Sequence, residues 1–237
     1  MRRRSAPAAW LPVCLVAAAF AAPVPTSAAA TRECFLLTQC TPVTGPWVVI
    51  PAAHQVPVPA GVAVGCPDDD STRLAVGSDY ELSGGGGGPP PDVNRSLAGP
   101  GVGLITGGNA IFFAVTFSDV SASFRPHVGC IPEPRQAADR GAAVERGRPH
   151  VVRTREVRLR PSRALTSRLR CGRGERLTRG LAGVLFHRRR PPTARELRDL
   201  TVTHRRLGRR VRASVRTGPT VGDRERVTLQ ILAVCAR

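Results

Sequence analysis

Val227-Thr228-Leu229-Gln230-Ile231-Leu232-Ala233-Val234-Cys235 is the stretch whose reading decides the fold. Val227, Leu229, Ile231, Ala233 and Cys235 share one parity; Thr228, Gln230, Leu232 and Val234 take the other. Alternation over a short run rich in β-branched residues is the pattern of a half-buried strand. Cys235 falls on the apolar parity, so this strand carries a sulfur toward the core.

The same pattern recurs upstream. Val211, Ala213 and Val215 alternate with Arg210, Arg212, Ser214 and Arg216. Leu165, Leu169 and Cys171 share a parity, with Thr166, Arg168 and Arg170 on the other. In the N-terminal half Val62, Val64 and Cys66 alternate with Ala63 and Gly65, and Phe124, Val128 and Cys130 again place a cysteine on an apolar face. Residues 74–82 and 111–117 are further strand candidates. Helix competes only at 193–200, where Thr-Ala-Arg-Glu-Leu-Arg predicts a loop or a single turn. The chain of 237 residues is 42% hydrophobic but only 4% aromatic, with 24 Gly and 22 Pro. That length suits one large domain or two small ones, and the composition is too apolar for a wholly disordered chain. The expected fold class is all-β.

Seven cysteines are present: Cys14, Cys34, Cys40, Cys66, Cys130, Cys171 and Cys235. Cys14 lies in the N-terminal leader, so six remain, which in an oxidising compartment reads as a disulfide framework. Six cysteines can pair in many ways, but the intervals favour one. Cys66 and Cys130 are 64 residues apart, and so are Cys171 and Cys235. The simplest framework is Cys66–Cys130, Cys171–Cys235 and, for the two left over, Cys34–Cys40. Zinc is the competing reading, but no C-x-x-C pair or closely spaced histidine pair accompanies these cysteines. No metal or cofactor is expected.

The equal interval predicts an internal duplication. Arg73-Leu74-Ala75-Val76-Gly77 follows Cys66 much as Arg176-Leu177-Thr178-Arg179-Gly180 follows Cys171. Both continue into an apolar stretch and a proline-bearing loop, Pro89-Pro90-Pro91 in one half and Pro191-Pro192 in the other. The division is 31–44 as an N-terminal segment, 45–132 as one sandwich, 133–149 as a Pro- and Gly-bearing linker, and 150–237 as a second sandwich. A cysteine on an early strand and another on the last can bridge two packed sheets. In size, alternation and cysteine interval the chain resembles a tandem pair of immunoglobulin-like β-sandwich domains, with Cys66–Cys130 and Cys171–Cys235 in the bridging roles. It also resembles uncharacterised secreted two-repeat proteins of actinobacteria, a resemblance that implies no particular activity.

Residues 1–30 read as a secretory signal peptide. Arg2, Arg3 and Arg4 form the basic start, 8–22 is a short apolar stretch interrupted by Pro12, and Ala28-Ala29-Ala30 offers a cleavage site. The expected location is extracellular, free or in the cell envelope. An uncleaved anchor is the alternative. Lipidation at Cys14 is disfavoured because Val13 precedes it where that motif wants a small residue. Arg replaces Lys at every position, as expected of a GC-rich genome.

Charge is divided unevenly. The chain carries 35 Lys+Arg, 17 Asp+Glu and a net +18. Only four arginines (32, 73, 95, 125) fall in 31–133, against nine acids, so that half is acidic and the other strongly basic. Alternation puts Arg158, Arg160, Arg168, Arg170, Arg210, Arg212 and Arg216 on outward faces, and Arg188, Arg189 and Arg190 cluster beside a loop. Such a surface attracts polyanions by Coulomb force and counterion release. Phe186 is the basic half's one aromatic, so no stacking platform for bases is expected, and with it no specific nucleic-acid recognition.

Catalytic patterns are sparse. His54, His127, His150, His187 and His204 are scattered, and His127 reads as a surface histidine on an outward parity. Asp68-Asp69-Asp70 reads as an acidic turn ahead of a calcium loop. Gly84 to Gly88 lacks the Lys and the helix of a phosphate loop. The expectation is a non-enzymatic structural or interaction protein. The alternative is an electrostatic binder of wall polymer, anionic lipid or extracellular DNA, and a secreted hydrolase with a loop-built site comes third. Histidines gathered with a carboxylate would favour the enzyme. An arginine face without carboxylate partners would favour the binder.

Overall fold

The alternating runs become strands, as their period demands. The computed structural model describes residues 34, 40–53, 58–66, 73–84, 91–97, 109–132, 150–221 and 226–236. Residues 1–30 and 133–149, His54, Asp68–Asp70 and the glycines at 85–88 lie outside the described residues. The N-terminal half supplies β1 (Thr41–Thr44), β2 (Trp47–Ile50), β3 (Ala60–Gly65), β4 (Arg73–Gly84), β5 (Asp92–Leu97), β6 (Asn109–Val115) and β7 (Ala122–Pro132). The C-terminal half supplies β8 (His150–Arg158), β9 (Ala164–Arg170), β10 (Arg176–Phe186), β11 (Leu200–Leu207), β12 (Arg210–Thr217) and β13 (Val227–Ala236). The turn expected at 193–200 is α1 (Ala194–Arg198), opened by a capping box between Thr193 and Glu196. The described residues are all-β apart from this turn.

Strand order is the same in both halves. β7 runs antiparallel between β4 and the successive strands β1 and β2; β13 runs antiparallel between β10 and β8. β6 lies between β3 and β5, and β12 between β9 and β11. Cys130 is paired across β4 with Ala75 and Cys235 across β10 with Leu177, and in each case the register slips at the next residue. Each long-range disulfide joins two layers. Cys66, just past β3, bonds Cys130 on β7, and Cys171, just past β9, bonds Cys235 on β13. Their Cα–Cα distances of 5.8 and 5.7 Å are ordinary for disulfides. Closing loops of this length constrains the unfolded chain by about 4 kcal/mol each in the chain-entropy model. Cys34–Cys40 is the third disulfide.

The halves share one sheet. β10 pairs with β13 along its length and meets two strands of the other half on its opposite edge. Leu185 and Phe186 pair antiparallel with Val48 and Trp47 of β2, and Ala182 pairs parallel with Ala60 of β3. The result is a ten-stranded sheet, with β11, β12 and β9 as a second, three-stranded one. β13 is buried along both faces. Leu229, Ile231 and Cys235 join the core beneath the three-stranded sheet, while Leu232 and Val234 pack with Leu181 against Ile111, Ala63 and Phe113 of β3 and β6. The second parity of the strand therefore faces protein, because the β3–β6 layer covers it. Burying a side chain of this kind contributes about 1.5–3 kcal/mol. β2 divides its faces likewise, Trp47 and Val49 to one core and Val48 and Ile50 to the other. Glycines permit the crossing of β3 over β10: a Cβ on Gly61 would stand 2.6 Å from Leu181 Cβ, and one on Gly183 2.8 Å from the Gly61 carbonyl oxygen.

Candidate functional site

The outward face of the three-stranded sheet collects arginines because alternation forces it to. Val211, Ala213 and Val215 of β12 point inward, so Arg210, Arg212, Ser214 and Arg216 point out. Register then sets neighbours side by side. Arg212 is directly opposite Arg168 on β9 and Arg205 on β11, and Arg210 is opposite Arg170. Three guanidinium side chains thus cross the sheet in one row, with two more in the next. Adjacent strands are about 4.8 Å apart, and like charges directly opposite each other are destabilising.

Arg155 of β8 closes one side, donating to the Arg168 carbonyl at 3.3 Å. Arg155, Arg168, Arg170 and Arg210 border a shallow groove of about 360 Å³. Among the described residues, none of these arginines, nor Arg205, Arg212 or Arg216, forms an ion pair.

The described acids of this half are engaged elsewhere. Arg153 holds Glu175 through two hydrogen bonds at 3.2 and 2.8 Å, and the buried Glu175 also accepts the Gly172 N–H. The Glu175 hydrogen bond keeps Arg153 firmly charged. Arg226 and His187 share Glu156. Arg188 forks onto Glu196 at 2.9 and 2.6 Å and lies over the Phe186 ring. Burial pushes the Glu196 carboxyl upward, but hydrogen bonds from Arg188 and Thr193 together outweigh it, and the net shift is downward. Arg153, Arg188 and Arg226 thus each pair with an acid of their own half, Glu175, Glu196 and Glu156.

The arginines singled out in the sequence therefore divide into groups. Arg168, Arg170, Arg210 and Arg212 come together on one face, and Arg216 lies at the far end of that face. Arg158 and Arg160 are exposed, on β8 and in the turn after it. Arg188 is half-buried in its ion pair, while Arg189 and Arg190 are exposed beside it, the Arg189 carbonyl accepting the Trp47 indole N–H. Arg155 and Arg205 are added by the structure. Their signal lay in the alternation of Arg153-Thr154-Arg155 and of Leu200, Val202 and His204.

The histidines are dispersed. His127 departs from its expected surface position: it is 5% exposed. It does occupy the outward parity of β7, but β7 is central, and Thr44 and Glu81 on its neighbours flank the ring. Nε2 lies 2.6 Å from Glu81 Oε1 and Nδ1 3.4 Å from Thr44 Oγ1. His187 and His204 stand on other elements, and burial lowers the pKa of each; Arg226 adds to the shift at His187 and Glu156 opposes it. Among the described residues the one cluster with metal-ligand composition, Cys171, Glu175 and Cys235, has both its sulfurs in a disulfide. Among the described residues no helix is long and apolar enough to cross a membrane. Three disulfides fit an oxidising, extracellular setting. No protein-family model, curated protein or solved structure matches this chain.

Proposed function

We propose that the chain is an exported, non-enzymatic β-sandwich protein that binds polyanions through the arginine face of its three-stranded sheet. The observation carrying this reading is the row Arg205–Arg212–Arg168 with the pair Arg210–Arg170, set side by side without carboxylate partners among the described residues. Such a row opposes its own folding slightly, and a polymer of phosphate, sulfate or carboxylate groups relieves that repulsion while releasing its own counterions. With no aromatic on the face, recognition is by charge density. Wall polymer, anionic lipid and extracellular DNA share that chemistry. The disulfides and the basic–apolar–Ala-Ala-Ala leader support export. The common strand order and equivalent cysteines support a duplicated, immunoglobulin-like unit as the scaffold.

Retention of the full chain on immobilised heparin tests this. Arg168→Gln/Arg212→Gln elutes at clearly lower salt than wild type, whereas Arg163→Gln/Arg195→Gln, which removes the same charge away from the arginine row, elutes near it. Equal losses for the two variants would mean that net charge alone is responsible, and the assignment of the face would fall.

A further inference from the structure

A second concave site lies between the halves, distant in chemistry from the arginine face. A cleft of about 780 Å³ opens between the β6–β7 turn and the ends of β2 and β4 on one side and α1 with the start of β11 on the other. That volume is within the ~300–1,000 Å³ usual for ligand sites. The walls come close where a Cβ on Gly84 would stand 3.5 Å from Leu197 Cδ1.

Three features define what fits. The lining includes Val120, Leu197 and Leu200, and Phe117, two residues before the lining Asp119, is 72% exposed, a large apolar surface for a residue in a turn. The two walls carry opposite charges, Asp119 from the first half and Arg198 from the second. Both are exposed, and among the described residues they do not form a salt bridge with each other; the Arg198 charge also acts on the Asp199 carboxylate next to it in the chain. Finally, strand edges reach the cleft. Ser83 and Gly84 end β4, which among the described residues pairs with β7 alone, and Leu200 and Thr201 begin β11, which among them pairs with β12 alone. Every second residue of such an edge turns its N–H and C=O away from the sheet.

We infer that this cleft binds a short extended peptide with free termini. Its ammonium faces Asp119, its carboxylate faces Arg198, its backbone pairs with a strand edge, and its apolar side chains lie on Val120 and Leu197. Opposite charges on opposing walls select a zwitterion over a simple anion, which separates this ligand from the polymer assigned to the arginine face. Edge pairing selects a peptide over other zwitterions.

Calorimetric titration of the full chain with tri-, tetra- and penta-alanine tests the assignment. At least one length binds, and N-acetylation or C-amidation of that peptide weakens it about tenfold or more, because each removes a charge-assisted contact. Asp119→Asn abolishes the effect of acetylation and Arg198→Gln that of amidation. Both side chains are exposed, so the variants keep the wild-type unfolding midpoint. Absence of binding at all three lengths, equal affinity for free and blocked peptides, or unchanged selectivity in the two variants would each overturn it.

Discussion

Gln230 reaches from β13 to β3, where its side-chain oxygen accepts the Ala63 N–H at 2.8 Å and its amide donates to the Ala63 carbonyl at 3.4 Å. A side chain here does the work of a neighbouring strand. Gln230→Leu keeps the volume but strands the Ala63 groups, so equilibrium denaturation shows a loss of about 1–3 kcal/mol; an unchanged midpoint would mean that solvent replaces the amide. His204 is a second residue-scale test. It lies on the inner parity of β11, and its Nδ1 is buried with no hydrogen-bond partner among the described residues. Burial lowers its pKa below the ordinary imidazole value of about 6.5. The unfolded chain therefore binds the proton more readily than the folded one. The stabilising contribution is complete above about pH 6.5 and is lost as pH falls through the depressed folded value. In His204→Leu, unfolding free energy varies less between pH 7 and pH 5 than in wild type; an identical pH profile would exclude His204 as its source. Neither residue's role was legible in the sequence. Gln230 has the sequence position of a solvent-facing member of an alternating strand, and the alternation that carries His204, Leu200-Thr201-Val202-Thr203-His204, is short and follows directly on the competing helical turn.

At the scale of the element, β12 shows how alternation converts composition into a surface. Its inward valines and alanine fix the outward arginines, and its central place in the sheet gives Arg212 an arginine on either side. That much was legible from Val211 to Arg216, since one buried parity determines the other. The neighbours were not, because cross-strand register depends on turns and pairing that a single strand does not encode. Arg212→Gln removes the middle charge of the row. Thermal unfolding at low ionic strength shows the variant more stable than wild type by a fraction of a kcal/mol, and the gap closes as salt screens the row. A variant less stable at all salt concentrations would show that the Arg212 stem, which is half-buried, matters more by packing than its charge does by repulsion.

For the whole molecule, the disulfide pairing was legible and the union of the halves was not. Equal cysteine intervals on apolar parities pointed to Cys66–Cys130 and Cys171–Cys235, and those bonds are present. The shared sheet left a fainter trace. Leu232 and Val234 sit on the parity expected to face water, and β2 reads Trp47-Val48-Val49-Ile50 with no polar parity at all. Both are what a strand covered on two sides requires. The union also gives the arginine face a rigid support, since the layer beneath it is held by β13 and β10, which are in turn packed against the first half. The central claim is that this face, rather than the net charge of the chain, holds a polyanion. The slope of log affinity for inorganic polyphosphate against log salt concentration measures it directly. Arg168→Gln/Arg212→Gln is predicted to flatten that slope by about one for each contact removed, relative to wild type. A variant whose slope and affinity match those of wild type would contradict the assignment.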